Sequence, residues 1–99
     1  MTTIAEQAER AAAAADFGQP GALKRGRDQR WPYVPVIIWP ERVHGAQQQI
    51  KGLAFASREE ALAYAQNTID AQRDLLRRTL TSPRHRALRV QYGLPAELS

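Results

Sequence analysis

Tyr33-Val34-Pro35-Val36-Ile37-Ile38-Trp39 is the densest β-branched and aromatic run in the chain, closed by Pro32 and Pro40. Such a run forms a strand, and a strand exposes backbone donors and acceptors that a neighbour must satisfy. Pro35 has no N–H for a ladder, so this strand is expected at a sheet edge or paired only beyond that point. Glu41 to Gln47, with Gly45, reads as a polar turn. Gln48 to Ala56 reads as a second strand in which Leu53 and Phe55 share a face with Gln49 and Lys51. The pair forms an antiparallel hairpin with a loop of about seven residues, longer than the common two to five. Gly52 marks a bulge or a close approach. Two strands alone are marginal, so a third is expected from about residues 24–30, unless a helix or a second subunit covers the hairpin.

The strongest local signal follows the hairpin. Ser57-Arg58-Glu59-Glu60 is a capping box, in which the serine accepts the N–H three residues on and Glu60 reaches back. From there Leu62, Ala65, Ile69, Leu76 and Leu80 recur on one helical stripe, with Gln66, Asp70, Arg73, Asp74 and Arg77 opposite. Asp70 with Arg73, and Asp74 with Arg77 and Arg78, are spaced for surface ion pairs. Tyr64, Ala71 and Leu75 widen the apolar side, which suits a contact with a partner or with the N-terminal helix.

Before the hairpin, Thr3 to Asp16 has strong helix propensity in its alanine tract but only Ile4 and Phe17 as large apolar residues. A helix over about 3–16 therefore either frays or acts as a docking arm that orders on a partner. Gly18-Gln19-Pro20-Gly21 reads as a break and Lys24 to Arg30 as an exposed basic loop. After the long helix, Ser82 as N-cap and Pro83 at the first position predict a short helix over Arg84–Tyr92, stopped by Gly93, with Leu94–Ser99 as a loose tail. The expected fold is α+β. A hairpin of two or three strands packs on a long amphipathic helix, with an N-terminal helix and a short C-terminal one. Residues 1–30 form a helix and basic linker; residues 31–99 form the core domain.

Composition removes several functions. There is no cysteine, hence no disulfide, thiolate nucleophile or zinc-thiolate site. His44 and His85 lack the carboxylate or thiolate company of a metal pair. Glu59 and Glu60 are explained by capping, and Asp70 and Asp74 by ion pairing, so neither pair reads as catalytic. No nucleophile triad, phosphate loop or dinucleotide fingerprint is present. The reading is a non-catalytic protein without metal or cofactor. No export signal or long apolar run occurs, which makes the cytoplasm the default location, and the arginine- and alanine-rich composition suits a bacterial or phage origin.

The net charge is +4 and only Lys24 and Lys51 of the 14 basic residues are lysine. Guanidinium-rich surfaces suit bidentate contacts to phosphate or carboxylate. Two clusters stand out. Arg73, Arg77, Arg78, Arg84, Arg86 and Arg89 lie in a stretch with one aspartate, and Ser82 offers a helix start that can also hold a phosphate. Lys24, Arg25, Arg27 and Arg30 run into Trp31 and Tyr33, a grouping that can clasp a backbone and stack on bases. Trp31, Tyr33, Trp39, Tyr64 and Leu75 are the candidate residues for a protein interface or homodimer.

The segment Phe55-Ala56-Ser57 entering a helix through Glu60-Ala61 resembles the arm-type DNA-binding domain of phage integrases over about residues 33–70. Those domains carry a third strand and basic, aromatic sheet positions, whereas Val34, Val36 and Ile38 are expected to be buried. Two functions are carried forward. The first is a nucleic-acid-binding accessory protein; the alternative is an interaction module acting through the hairpin edge or a helix face.

Overall fold

The computed structural model describes residues 3–24, 30–39, 46–50 and 53–97. In chain order the elements are α1 (Ile4–Ala14), β1 (Gln19–Lys24), β2 (Tyr33–Trp39), β3 (Ala46–Gln49), α2 (Arg58–Leu80) and α3 (Arg86–Gln91). The α+β architecture is as expected, with the sheet packed on the long helix. The chain forms two compact units: residues 17–70, and residues 1–16 together with 71–99. Residues 58–70 of α2 belong to the first and residues 71–80 to the second.

In the first unit the sheet order is β1-β2-β3, both pairings antiparallel. The third strand is real and is Gln19–Lys24: it begins within Gly18 to Gly21, read as a break, and shares only Lys24 with the expected 24–30, of which residues 25–29 lie outside the described residues. The ladder explains how glycine and proline fit there. Ile50 N donates to Pro35 O at 3.0 Å, so the backbone groups of odd-numbered β2 residues face the β3 side. Even-numbered ones then face β1, where they meet Gln19, Gly21 and Leu23. Pro20 therefore has its missing N–H on the open edge, where no donor is needed. Gly21 leaves the space that Ile38 and Val36 fill, since a Cβ there would lie 2.5 Å from Ile38 Cδ1 and 2.9 Å from Val36 Cγ2.

The same parity corrects the expectation for β2. It is the central strand, paired with β1 through Pro35 by way of Ala22. Its missing N–H faces the other side, and pairing with β3 begins only at Val36, opposite Gln49. The second strand is also shorter than expected. It ends at Gln49, and the chain rejoins at one bridge, Tyr33 with Phe55. Of the turn expected at Glu41 to Gln47, Ala46 and Gln47 belong instead to β3, while residues 41–45, with Lys51 and Gly52, lie outside the described residues.

Helix α2 starts as the capping box requires. Glu60 N donates to Ser57 Oγ at 3.2 Å, and the serine hydroxyl donates to the Glu60 carboxylate at 3.0 Å, so the return contact is to the side chain. The buried stripe in this unit is Ala61, Ala65 and Ile69, with Leu62 only half-buried. Gly21 of β1 and Pro35, Val36 and Ile37 of β2 are buried in the sheet. Phe55 packs its ring on Tyr64 with centroids 5.6 Å apart, tilted 39°.

In the second unit α1 is capped by Thr3, whose Oγ1 accepts from Glu6 N at 3.2 Å. Its lack of large apolar residues is answered by close approach. Ala8 and Ala12 are buried, and Ile4, Ala8 and Ala11 join Leu76, Leu80, Leu88 and Leu94 in one cluster. Arg73 Nε adds a bond to Ala12 O at 3.2 Å. Truncating a fully buried leucine such as Leu80 to alanine costs roughly 2–5 kcal/mol.

The C-terminal end departs from expectation in two ways. α3 begins at Arg86, with His85 as an N-cap that makes no side-chain bond, so Ser82 and Pro83 belong to a preceding turn and offer no helix start. The stop at Gly93 is as expected: φ is +78°, Gly93 N donates to Val90 O at 3.0 Å and Leu94 N to Arg89 O at 2.8 Å. Leu94 then enters the core, so the segment read as a loose tail is anchored. No helix among the described residues is long and apolar enough to cross a membrane.

Candidate nucleic-acid interface

The C-terminal arginines divide by what holds them. Arg89 is 2% exposed and sits inside the second unit. Its Nε and Nη2 donate to Ala96 O at 3.3 and 2.7 Å, and its Nη1 donates to Ser82 O. A guanidinium in this position is a staple between the turn after α2 and the segment after α3. It cannot meet a phosphate, and Arg89 leaves the set of candidate contacts.

Four of the other five arginines in this cluster also have structural partners. Arg73 is held partly buried against Ala12 O. Asp74 takes Arg77 at 2.6 Å and Arg78 at 3.0 Å. The hydrogen bond from Arg77, helped by the charge of Arg78, holds the Asp74 carboxyl below its usual range and keeps it anionic beside them. Arg86 pairs with Glu97 at 2.5 Å. Arg84 is exposed, and its side chain makes no ion pair or hydrogen bond among the described residues. The expected arginine surface is therefore half neutralised at its surface and lacks its buried member.

The N-terminal cluster fares differently. Lys24 is the register partner of Tyr33, the last pair of the β1–β2 ladder, so the described residues Lys24 and Arg30 to Tyr33 lie at that end of the hairpin, its tip. Lys24, Arg30 and Trp31 are exposed there, Trp31 at 49%, with Tyr33 half-buried behind them. Arg25 and Arg27 belong to the same stretch by sequence and lie outside the described residues. Four basic residues and one acid, Asp28, occupy the segment 24–30. Lys24 makes no ion pair among the described residues.

The aromatic and apolar candidates do not form one surface. Trp31 and Tyr33 stand at one end of β2 and Trp39 at the other, about 20 Å away along the strand. Trp39 lies beside Gly18, where a Cβ would come 3.0 Å from its ring. Tyr64 is 38% exposed and spends one face on Phe55. Leu75 belongs to the second unit, at 58% exposure. Sequence reading missed Val90 and Tyr92, exposed large residues on and just after α3 in that same unit. Their signal was present as apolar positions in a short basic helix, but burial was the ordinary expectation for them.

Among the described residues no group of three His, Cys, Asp or Glu side chains is placed to hold a metal ion, and His44 lies outside them. No protein-family model matches the chain, and none of the curated proteins or solved structures compared with it is significantly similar.

Proposed function

We propose that this chain is a non-catalytic nucleic-acid-binding accessory protein that uses the tip of the β1–β2 hairpin. The observation that carries the reading is the Lys24–Tyr33 register, which sets exposed Lys24 opposite a residue that follows exposed Trp31 by two positions and exposed Arg30 by three. Cations beside an exposed ring match a phosphate backbone with bases along it. Among the C-terminal arginines only Arg84 offers unpaired charge in support, while Arg77, Arg78 and Arg86 would have to exchange a carboxylate for a phosphate.

Two to four phosphate contacts predict modest affinity, roughly micromolar or weaker, with a log–log salt slope of about −1.4 to −2.8 on single strands and about −1.8 to −3.6 on duplex. Fluorescence anisotropy of labelled DNA and RNA at several salt concentrations tests this. Lys24→Ala with Arg30→Ala should weaken binding to all sequences and make the slope shallower, whereas Arg84→Ala with Arg86→Ala should change it less. Absence of binding at low salt rejects the reading.

A second reading is favoured by the exposure of Leu75, Val90 and Tyr92 in the second unit. It makes the chain an interaction module, with a protein partner or a second copy. Light scattering and capture from nuclease-treated lysate separate the two readings. A strict monomer whose captured partners all vanish with nuclease leaves the module without support.

A further inference from the structure

We infer that the nucleic acid taken by the β1–β2 tip is single-stranded, with unpaired bases stacking on Trp31. This rests on the nucleic-acid reading above and specifies it. Trp31 leaves about half of its surface in water, and its mounting is stiff. It precedes Pro32, whose ring fixes its own φ and disfavours helical backbone at Trp31. The next residue, Tyr33, is bound through both backbone groups to Phe55, at 3.1 Å from Tyr33 N and 2.7 Å from Phe55 N. Phe55 is in turn packed on Tyr64 of α2. The backbone beside the ring is thus already ordered, and little entropy is left to lose on binding.

The chemistry around the ring then selects the ligand. Exposed Lys24 and Arg30 supply charge for a backbone, Arg30 as the neighbour of Trp31 in sequence and Lys24 as the register partner of Tyr33. A paired base offers only its edges in a groove, and reading them takes a helix or ribbon lined with polar side chains. An unpaired base offers its face, which a tryptophan accepts whatever the base. The central strand beside the ring, Val34-Pro35-Val36-Ile37-Ile38, supplies no such polar array, whereas Trp31 supplies an exposed ring face.

Anisotropy with the full chain tests this on an oligothymidylate, an oligouridylate and a duplex, each about 16 nucleotides long. The single strands should bind more tightly than the duplex, and the two single strands report whether DNA or RNA is preferred. Trp31→Ala should lower single-strand affinity about tenfold to a hundredfold, Trp31→Phe should keep most of it, and neither should alter duplex binding. Duplex binding equal to or tighter than single-strand binding in the unmutated chain overturns the inference, as does single-strand affinity indifferent to Trp31→Ala. Either result leaves the wider nucleic-acid reading standing. No binding of any probe at low salt removes both.

Discussion

Arg89 grips the carbonyl of Ala96 with two guanidinium nitrogens, Nε at 3.3 Å and Nη2 at 2.7 Å, while its Nη1 holds Ser82 O. The guanidinium is buried and meets only neutral carbonyls among the described residues. Its planar fork serves several acceptors at once, which a lysine ammonium on a flexible stem cannot do in the same geometry.

Removing this fork takes both guanidinium donors from the half-buried Ala96 O, while Ser82 O keeps the N–H of His85, and it empties the buried space of the Arg89 side chain. Arg89→Ala should destabilise the fold by about 2–4 kcal/mol, and Arg89→Lys by somewhat less. Urea denaturation followed by circular dichroism measures both. A midpoint unchanged by Arg89→Ala would mean that the contacts contribute nothing net.

Asp74 gives stability a dependence on acid. Its folded pKa lies below the ordinary aspartate value because Arg77 hydrogen-bonds to it and Arg78 adds charge. Its contribution is therefore present above the unfolded value and lost as pH falls through the folded one, a window below about pH 4. Asp74→Asn should flatten the stability profile there and leave its shape near neutrality unchanged. An identical acid limb in the variant would show that the pair has no thermodynamic weight.

Two glycines should fail for different reasons. At Gly93 nothing lies within 4 Å of an added Cβ, so Gly93→Ala costs only the left-handed backbone, about 1–2 kcal/mol. Gly21 shows no left-handed φ, but a Cβ there would collide with Ile38 and Val36, and Gly21→Ala costs roughly 1–3 kcal/mol by overpacking. Thermal unfolding gives both totals. Smaller side chains at Ile38 should rescue Gly21→Ala and leave Gly93→Ala untouched, and equal rescue of both would contradict this division.

Much of the fold was legible because its signals were local. The Ser57–Glu60 box marked the start of α2, and Gly93 marked the end of α3, since each depends on residues within one turn. β1 was illegible for the opposite reason. Pro20 and Gly21 are strand breakers by propensity, and only their parity against β2 makes them harmless. Arg89 and Leu94 were misread because burial is a property of assembly: in sequence Arg89 is one of six similar arginines, and Leu94 follows a helix stop. The basic-aromatic stretch at residues 24–33 was visible as composition, while its closure across Lys24 and Tyr33 needed the ladder.

The central claim is most directly tested by an amide chemical-shift titration of the isotopically labelled chain with an oligothymidylate. The largest changes should fall at Lys24 and Arg30 to Tyr33, including the Trp31 indole N–H, with smaller ones near Arg84 and none at Arg89. Changes centred on residues 73–92, or no changes at all at low salt, would contradict the assignment of the hairpin tip.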